Sequence, residues 1–235
     1  MRTNGKKIVL LRRLVAVLLV TLFFGGCAFF EKFFGKEEEE KPPAQLMSEG
    51  LEALEKGYYE SAKEAFQKVK DRYPYSPFAV TAELKMADSL YKSERFDEAF
   101  EAYSEFERLH PKNPDIPYVI FQRGMCHFSK MKSIDRDQSS TVKAREEFER
   151  LVKKFPRNEY ADSARLKLRK CYIYLAEYEL YVGHFYFRNK NYRAAMGRYR
   201  YILENYPDLG QYHEALEYLA KCQEKIAEEK KEEGS

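Results

Sequence analysis

A segment of sixteen residues occurs four times in this chain, and this recurrence limits the fold more than any other feature. The copies are Tyr59–Pro74, Phe96–Pro111, Thr141–Pro156 and Tyr192–Pro207. Each has alanine at position four, an aromatic residue at position eight, a large apolar residue at position eleven and proline at its end. These spacings place the recurring residue types on one helical face, and proline ends the helix because it lacks the N–H that a helix interior needs. The pattern predicts an all-α repeat protein.

A small residue stands in a second helix ahead of each copy. Gly50, Ala87 and Gly183 lie nine residues before their copies, whereas Gly124 lies eight residues further away because of a polar insertion, Ser133–Ser140. These residues and spacings resemble the tetratricopeptide repeat. We therefore expect a superhelical array of about five tetratricopeptide-like helix pairs over residues 44–229.

Several helix boundaries can be predicted from the same register. The first partner helix should span about Ala44–Lys56, and the helix entering the second repeat should begin after Pro77. A long helix should run from about Tyr160 to Phe187, because the distance to the fourth copy is too great for a single short helix. A last helix over about Gln211–Glu229 should close the array, followed by a solvated polar tail at residues 230–235.

The first 26 residues have the pattern of a secretory signal peptide. Residues 2–13 are basic, and the apolar run Leu14–Phe24 is shorter than the roughly 20 residues that span a membrane. Two glycines and Cys27 follow, which looks like a bacterial lipobox, although Phe24 stands where that motif usually has leucine. We expect a covalent diacylglycerol and an N-acyl chain on Cys27. The alternative is a buried cysteine at the end of a core helix.

Residues 27–43 are predicted to form a lipidated, flexible tether. The acidic run Glu37–Glu40 and the pair Pro42-Pro43 are typical of a solvated, extended linker. By analogy with lipoprotein sorting, Ala28 after the cysteine indicates the periplasmic face of the outer membrane. The chain should then reach the membrane through its lipid anchor.

Charge and residue spacing argue against several other classes of function. The formal net charge is +3, but residues 1–26 contribute five basic residues and no acid, so the remainder carries −2 and gives no reason to expect nucleic-acid binding. The four histidines lack metal-binding spacing, and Cys126 beside His127 makes a poor nucleophile–base pair on a helix. We expect no enzyme, no metal and no cofactor beyond the lipid, and buried free thiols at Cys126, Cys171 and Cys222.

Two stretches give the chain a closer resemblance. With the lipobox, tether and repeats, the motif IDRDQ at Ile134–Gln138 and the block Glu179–Pro207 resemble the BamD family, lipoproteins of the β-barrel assembly machinery of the Gram-negative outer membrane. The resemblance implies that the chain binds the periplasmic domains of BamA, other Bam lipoproteins and unfolded outer-membrane β-barrel precursors. The alternative is another periplasmic tetratricopeptide lipoprotein, serving Tol–Pal or pilus and secretin assembly.

Two candidate binding surfaces follow from the register and the resemblance. The first helices of the repeats should line a groove whose aromatic and methionine side chains suit extended apolar peptides. Its candidates are Met47, Leu51, Leu54, Leu84, Asp88, Tyr91, Tyr118, Phe121, Met125 and Phe128. The resemblance implies that the later repeats dock on BamA, and the candidate residues, on the fourth closing helix, are Arg193, Arg198 and Arg200. Arg198 could pair with a partner carboxylate or, equally, with Glu204 or another acid of its own chain.

Overall fold

A computed structural model describes residues 40–207 and 209–233 of the chain, and the described part is all-α, as predicted. The predicted signal peptide, the lipidation site Cys27 and most of the tether lie outside the described residues. The helices all belong to the compact unit Pro43–Ser235. In the described part they are α1 Pro43–Glu55, α2 Tyr59–Arg72, α3 Ala79–Lys92, α4 Phe96–Leu109, α5 Ile116–Phe128, α6 Ser139–Lys154, α7 Glu159–Arg188, α8 Tyr192–Asn205 and α9 Gln211–Glu233.

The helices form four successive pairs and a closing helix. Each packs against its neighbours in sequence, and α7 also contacts α5 and α9. The buried residues at positions four, eight and eleven of the repeated segment are at most 2% exposed. They are Ala62, Phe66 and Val69, then Ala99, Tyr103 and Phe106, then Ala144, Phe148 and Leu151, and finally Ala195, Tyr199 and Ile202. The repeated segment is therefore the packing seam of the array.

The small residue on the first helix of a pair allows the aromatic ring of the second to approach closely. A methyl group on Gly124 would lie 2.5 Å from a ring carbon of Phe148, and one on Gly183 would lie 2.6 Å from a ring carbon of Tyr199. Both distances are shorter than van der Waals contact allows, and the rings are fully buried, so they have little room to move. The glycine and the aromatic residue thus specify the same contact from its two sides.

In three of the pairs, the two helices are joined by the same tight turn. Its middle residue has a positive φ: 79° at Gly57, 62° at Glu94 and 59° at Lys190. In each turn the next residue donates its backbone N–H to the carbonyl five residues earlier, at 2.8–3.0 Å. This bond closes the end of the first helix in the manner of a Schellman motif.

The third pair replaces this turn with the predicted polar insertion. The side chain of Gln138, 7% exposed, closes the loop by donating to the backbone carbonyls of Ser133 and Arg136 at 2.9 and 3.0 Å. Thr141 in turn donates its hydroxyl to the Gln138 side-chain oxygen at 2.8 Å. The segment therefore enters α6 through a defined set of hydrogen bonds.

The long helix and the last helix differ slightly from the predicted bounds. α7 begins one residue early, where the Asn158 side chain accepts from the backbone N–H of Tyr160 at 3.0 Å. α9 continues to Glu233, into the predicted polar tail. Its last turns contain strong helix formers, no glycine or proline, and a pair between Lys225 and Glu228 at 2.6 Å, so solvent exposure does not end the helix.

Candidate binding face and docking surface

A cavity of about 290 Å³ opens between α3, α5 and the start of α7. We call it the first-helix cavity. Leu84 and Tyr118, both predicted groove residues, contribute to its lining, together with Val80, Lys85 and Tyr160. Apolar surface and two tyrosine rings thus meet a few polar groups, one lysine and one aspartate among them, in one concave site. This composition suits a large apolar side chain carried by an extended polar backbone.

The ten predicted groove residues differ in their exposure. Leu51 is exposed, Met47, Leu84 and Asp88 are buried, and Leu54, Tyr91, Tyr118, Phe121, Met125 and Phe128 are half-buried. Met47 belongs to the apolar core around Phe66, so it has little surface to offer a ligand. Leu84 is also buried but lies at the wall of the first-helix cavity. Peptide binding by this face stays a prediction.

Asp88 acts inside the array instead of at its surface. Tyr103 and Tyr118 both donate their hydroxyls to one Asp88 oxygen, at 2.8 and 2.7 Å, and Lys85 pairs with the other at 2.8 Å. Burial and the nearby Asp88 charge raise the pKa of both tyrosines, that of Tyr103 especially. The carboxylate joins α3, α4 and α5, because its partners come from all three helices. Predicting it as a groove residue overlooked this role.

Aromatic side chains extend the cavity along α5. The Tyr118 and Phe121 rings lie 5.3 and 5.8 Å from that of Tyr160, and Phe121 lies 5.8 Å from the buried ring of Phe148. The ammonium of Lys167 lies over the ring of Phe128, 4.8 Å from the ring centroid. These residues therefore pack between repeats and also keep part of their surface open.

Tyr160 was not predicted as a groove residue, because it stands outside the repeat register. It lies in the extension of α7 that the other pairs lack, so no position in another repeat corresponds to it. The signal available in the sequence was local: Asn158 is a good helix cap, and an aromatic residue in the first turn after it must face a neighbouring element or solvent. That signal does not identify α5 as the neighbour.

The three candidate docking arginines lie on α8. Arg193 and Arg200 are exposed. Arg198 pairs with Glu179 of α7 at 3.1 Å. Its partner in the structure is therefore an acid of its own chain, and this acid is Glu179, not Glu204. The hydrogen bond that Arg198 donates to the Glu179 carboxylate raises the pKa of the guanidinium. The Arg198 side chain is still 42% exposed, whereas that of Glu179 is 12% exposed.

The remaining candidate chemistry is buried. Cys126, Cys171 and Cys222 are free and buried, as predicted. Burial raises the pKa of the Cys126 and Cys171 thiols to about 12, which keeps both protonated and unreactive at neutral pH. Among residues 40–207 and 209–233, no group of three metal-binding side chains comes together. Within the same residues, no helix is both long enough and apolar enough to cross a bilayer.

Paired helices, a glycine–aromatic seam and Schellman turns define this chain as a helical-repeat protein of the tetratricopeptide class. Residues 39–235 match the family model of YfiO, described as an outer membrane lipoprotein. The chain belongs to this family. Among solved structures, the first TPR domain of human RPAP3 is similar over 58% of this chain and 94% of that domain, at 21% identity and a TM-score of 0.44.

Several curated relatives carry the name outer membrane protein assembly factor BamD. The protein from Rickettsia prowazekii is 33% identical over 69% of this chain and 65% of its own length. The protein from Caulobacter vibrioides is 30% identical over 74% of this chain and 57% of its own length. The protein from Vibrio cholerae is 27% identical over 74% of this chain and 77% of its own. This chain thus spans less than two thirds of the length of the first two.

Proposed function

We propose that this chain is an outer-membrane-anchored periplasmic scaffold of the β-barrel assembly machinery, which binds BamA and unfolded outer-membrane β-barrel precursors without catalysis. Family membership and the relatives named as assembly factors support the general role. The first-helix cavity carries the structural part of the proposal. A lipid on Cys27 would hold the array at the periplasmic face of the membrane, within reach of BamA and the other Bam lipoproteins.

Precursor binding would use the first-helix cavity as an anchor point. At about 290 Å³ the cavity is near the lower end of the range for ligand pockets, about 300–1,000 Å³, so it fits one or two side chains. Precursors end in aromatic-rich strands. An aromatic side chain would contact Leu84 and the rings of Tyr118 and Tyr160, while the extended backbone runs along α5. Aromatic pairs of this kind add about 0.5–1.5 kcal/mol beyond the area that they bury.

Thr81 offers a test of this site that leaves the core intact, because it is exposed and lines the cavity. Thr81→Trp should fill the cavity and weaken binding of a labelled peptide from the last strand of a β-barrel precursor by about tenfold, since one aromatic anchor is lost. Thr81→Ser is the matched control. Fluorescence anisotropy measures the affinity. Equal affinity for both variants would show that precursors bind elsewhere.

Docking on BamA would use the exposed part of Arg198 together with Arg193 and Arg200. We expect Arg198→Glu to reduce co-purification of BamA while circular dichroism stays helical. The intrachain pair allows a sharper control: Arg198→Glu with Glu179→Arg restores the pair with its charges exchanged, but not a contact from Arg198 to a partner carboxylate. If this double variant recovers BamA, Arg198 only positions α8 and does not dock. Lys153→Glu controls for charge reversal elsewhere.

The machinery to which the chain belongs can be tested directly. Pull-down from detergent-solubilised membranes should recover a large β-barrel protein with tandem periplasmic domains. Recovery of Tol–Pal or secretin components instead would support the other periplasmic tetratricopeptide lipoproteins. Flotation of a Cys27→Ser variant tests the anchor, because a variant that still floats with membranes would contradict lipidation at Cys27.

A further inference from the structure

A second and larger groove, of about 650 Å³, lies between α4 and α6. We call it the α4–α6 groove. Its apolar lining includes Leu90, Phe100 and His127, and the rings of Phe100 and His127 are 4.5 Å apart. It shares no lining residue with the first-helix cavity and none with the arginines of α8. Nothing in the proposed function uses it.

The walls of this groove are acidic. One base, Lys143, stands among five acids, which are Asp97, Glu98, Glu101, Glu146 and Glu147. Three of these acids have close partners within the chain: Lys130 for Asp97, Arg95 for Glu98, and Arg123 and Arg150 for Glu147. Of the other two, Glu146 has only a contact of 3.9 Å to Arg145, and no ion pair is seen for Glu101 among the described residues. These two exposed carboxylates stand on facing helices.

In the part of the chain that the structure describes, the apolar lining of the groove presents no unpaired positive charge that would repel a cation. Burial and the neighbouring Lys143 lower the pKa of His127, so its imidazole is neutral at neutral pH. Arg123 lies over the Phe100 ring at 4.8 Å from the centroid, but its guanidinium is neutralised by Glu107 and Glu147 at 2.6 and 2.7 Å. The groove therefore combines uncharged aromatic surface with negative walls, a combination complementary to an amphipathic cation.

We propose that the α4–α6 groove binds an arginine-bearing segment of a partner protein. The arginine guanidinium lies between Glu101 and Glu146, and an apolar neighbour of that arginine packs on Phe100 and His127. Arginine fits better than lysine because its planar group can stack on aromatic rings while it donates in pairs to carboxylates. The surface is thus a partner site additional to the precursor and BamA sites.

A pair of labelled peptides tests this proposal on the full chain in zwitterionic detergent. The probes are Gly-Leu-Arg-Leu-Gly and its citrulline analogue, which keeps the shape of arginine and removes the charge. Fluorescence anisotropy should show binding of the arginine peptide that weakens with salt, and binding about tenfold weaker for citrulline, because charge-assisted hydrogen bonds are roughly twice as strong as neutral ones. Thr81→Trp should bind both probes like the parent chain.

Variants with equal net charge locate the site. Glu101→Gln with Glu146→Gln should weaken binding of the arginine peptide by about tenfold, the size of effect expected when both carboxylate partners of a guanidinium are removed. Glu64→Gln with Glu204→Gln, two exposed acids elsewhere, should leave the affinity unchanged. Three results would overturn the proposal: no binding of the arginine peptide, equal affinity of the citrulline peptide, or equal affinity of the two double variants.

Discussion

The second and fourth repeats differ from the first and third at the centre of the packing seam. Position eight of the repeated segment is tyrosine in the former, Tyr103 and Tyr199, and phenylalanine in the latter. All four rings are fully buried. A buried tyrosine needs a hydrogen-bond partner for its hydroxyl, whereas a phenylalanine does not.

The residue that follows the small position on the first helix changes in step with the ring. It is Asp88 and His184 in the tyrosine repeats but Leu51 and Met125 in the phenylalanine repeats. Tyr103 donates to Asp88 at 2.8 Å, and the Tyr199 hydroxyl lies 2.9 Å from Nδ1 of His184. Position eight therefore accepts either ring: tyrosine where the facing helix supplies a polar partner, and phenylalanine where it supplies an apolar residue.

Both polar partners also reach a third helix. Asp88 of α3 accepts from Tyr118 of α5 at 2.7 Å, and Nε2 of His184 on α7 lies 3.1 Å from Glu214 of α9. Each tyrosine repeat is thereby joined to the element that follows it. The two sites differ in access to water, since the Asp88 side chain is 6% exposed and the His184 side chain 22%. We expect the second repeat to depend more strongly on its polar partner.

Removing the carboxylate in the second repeat should have the largest effect. Asp88→Leu leaves the buried Tyr103 hydroxyl without its partner and frees Tyr118 and Lys85, which should lower the free energy of unfolding by about 2–4 kcal/mol. Urea denaturation followed by circular dichroism measures this loss. His184→Leu in the fourth repeat should cost less, about 1–2 kcal/mol, because water can reach that site. A larger loss for His184→Leu would reverse the proposed ranking of the two repeats.

A double variant shows whether the loss comes from the hydroxyl. Asp88→Leu with Tyr103→Phe converts the second repeat to the chemistry of the first and third, so it should recover at least half of the lost stability. The measurement is the coupling energy of the double-mutant cycle. Purely additive effects would mean that Asp88 stabilises the array only through Tyr118 and Lys85.

The reverse exchange in the third repeat should have the next largest effect. Phe148→Tyr places a hydroxyl near the apolar Met125 and should cost about 1–3 kcal/mol, the desolvation penalty of an unsatisfied buried group. Adding Met125→Asp supplies the acceptor found in the second repeat and should recover part of this loss in urea denaturation. If Phe148→Tyr does not change the free energy of unfolding, a tyrosine in the seam does not need a polar partner on the facing helix, which would contradict the proposed difference between the two kinds of repeat.

Alkaline pH should weaken the two tyrosine repeats through the buried rings of Tyr103 and Tyr199. Burial raises the folded-state pKa of Tyr103 and Tyr199 above the ordinary value of 10.0. The unfolded chain therefore loses these two protons first, so the stability that the two tyrosines contribute is present below pH 10 and is lost as the pH rises above it. Each tyrosine contributes up to about 1.4 kcal/mol per pH unit. Above pH 10 the unfolding free energy should fall less steeply with pH in Tyr199→Phe, and Phe66→Leu should leave the steepness unchanged.

The seam and most helix boundaries could be predicted because they repeat. Ala144, Phe148 and Leu151 are recognisable as a buried stripe only because three other segments show the same spacing. Proline marks the end of each copy. The same helical spacing and the same terminating proline therefore occur in four places, and each copy supports the interpretation of the others.

The binding face could be predicted only in part, because exposure depends on elements outside the register. Tyr160 reaches the first-helix cavity from the extension of α7, which has no counterpart in the other pairs. Asp88 occupies the position of the exposed Leu51 but is covered by Tyr103 and Tyr118. The partner of Arg198 is an acid nineteen residues away on another helix. Sequence spacing gives the face of a helix but not what lies against it.

The smallest predicted effect concerns the turns of the same two repeats. Glu94 and Lys190 have φ values of 62° and 59°, where an L-residue is strained, whereas the first repeat has Gly57 at this position. Lys190→Gly should therefore raise the free energy of unfolding by about 0.5–1 kcal/mol, because relief of this strain exceeds the extra entropy of glycine in the unfolded chain. Gly57→Ala should lower it by a similar amount. Thermal denaturation checks both, and a destabilised Lys190→Gly would show that the Lys190 side chain stabilises its turn by more than the strain costs.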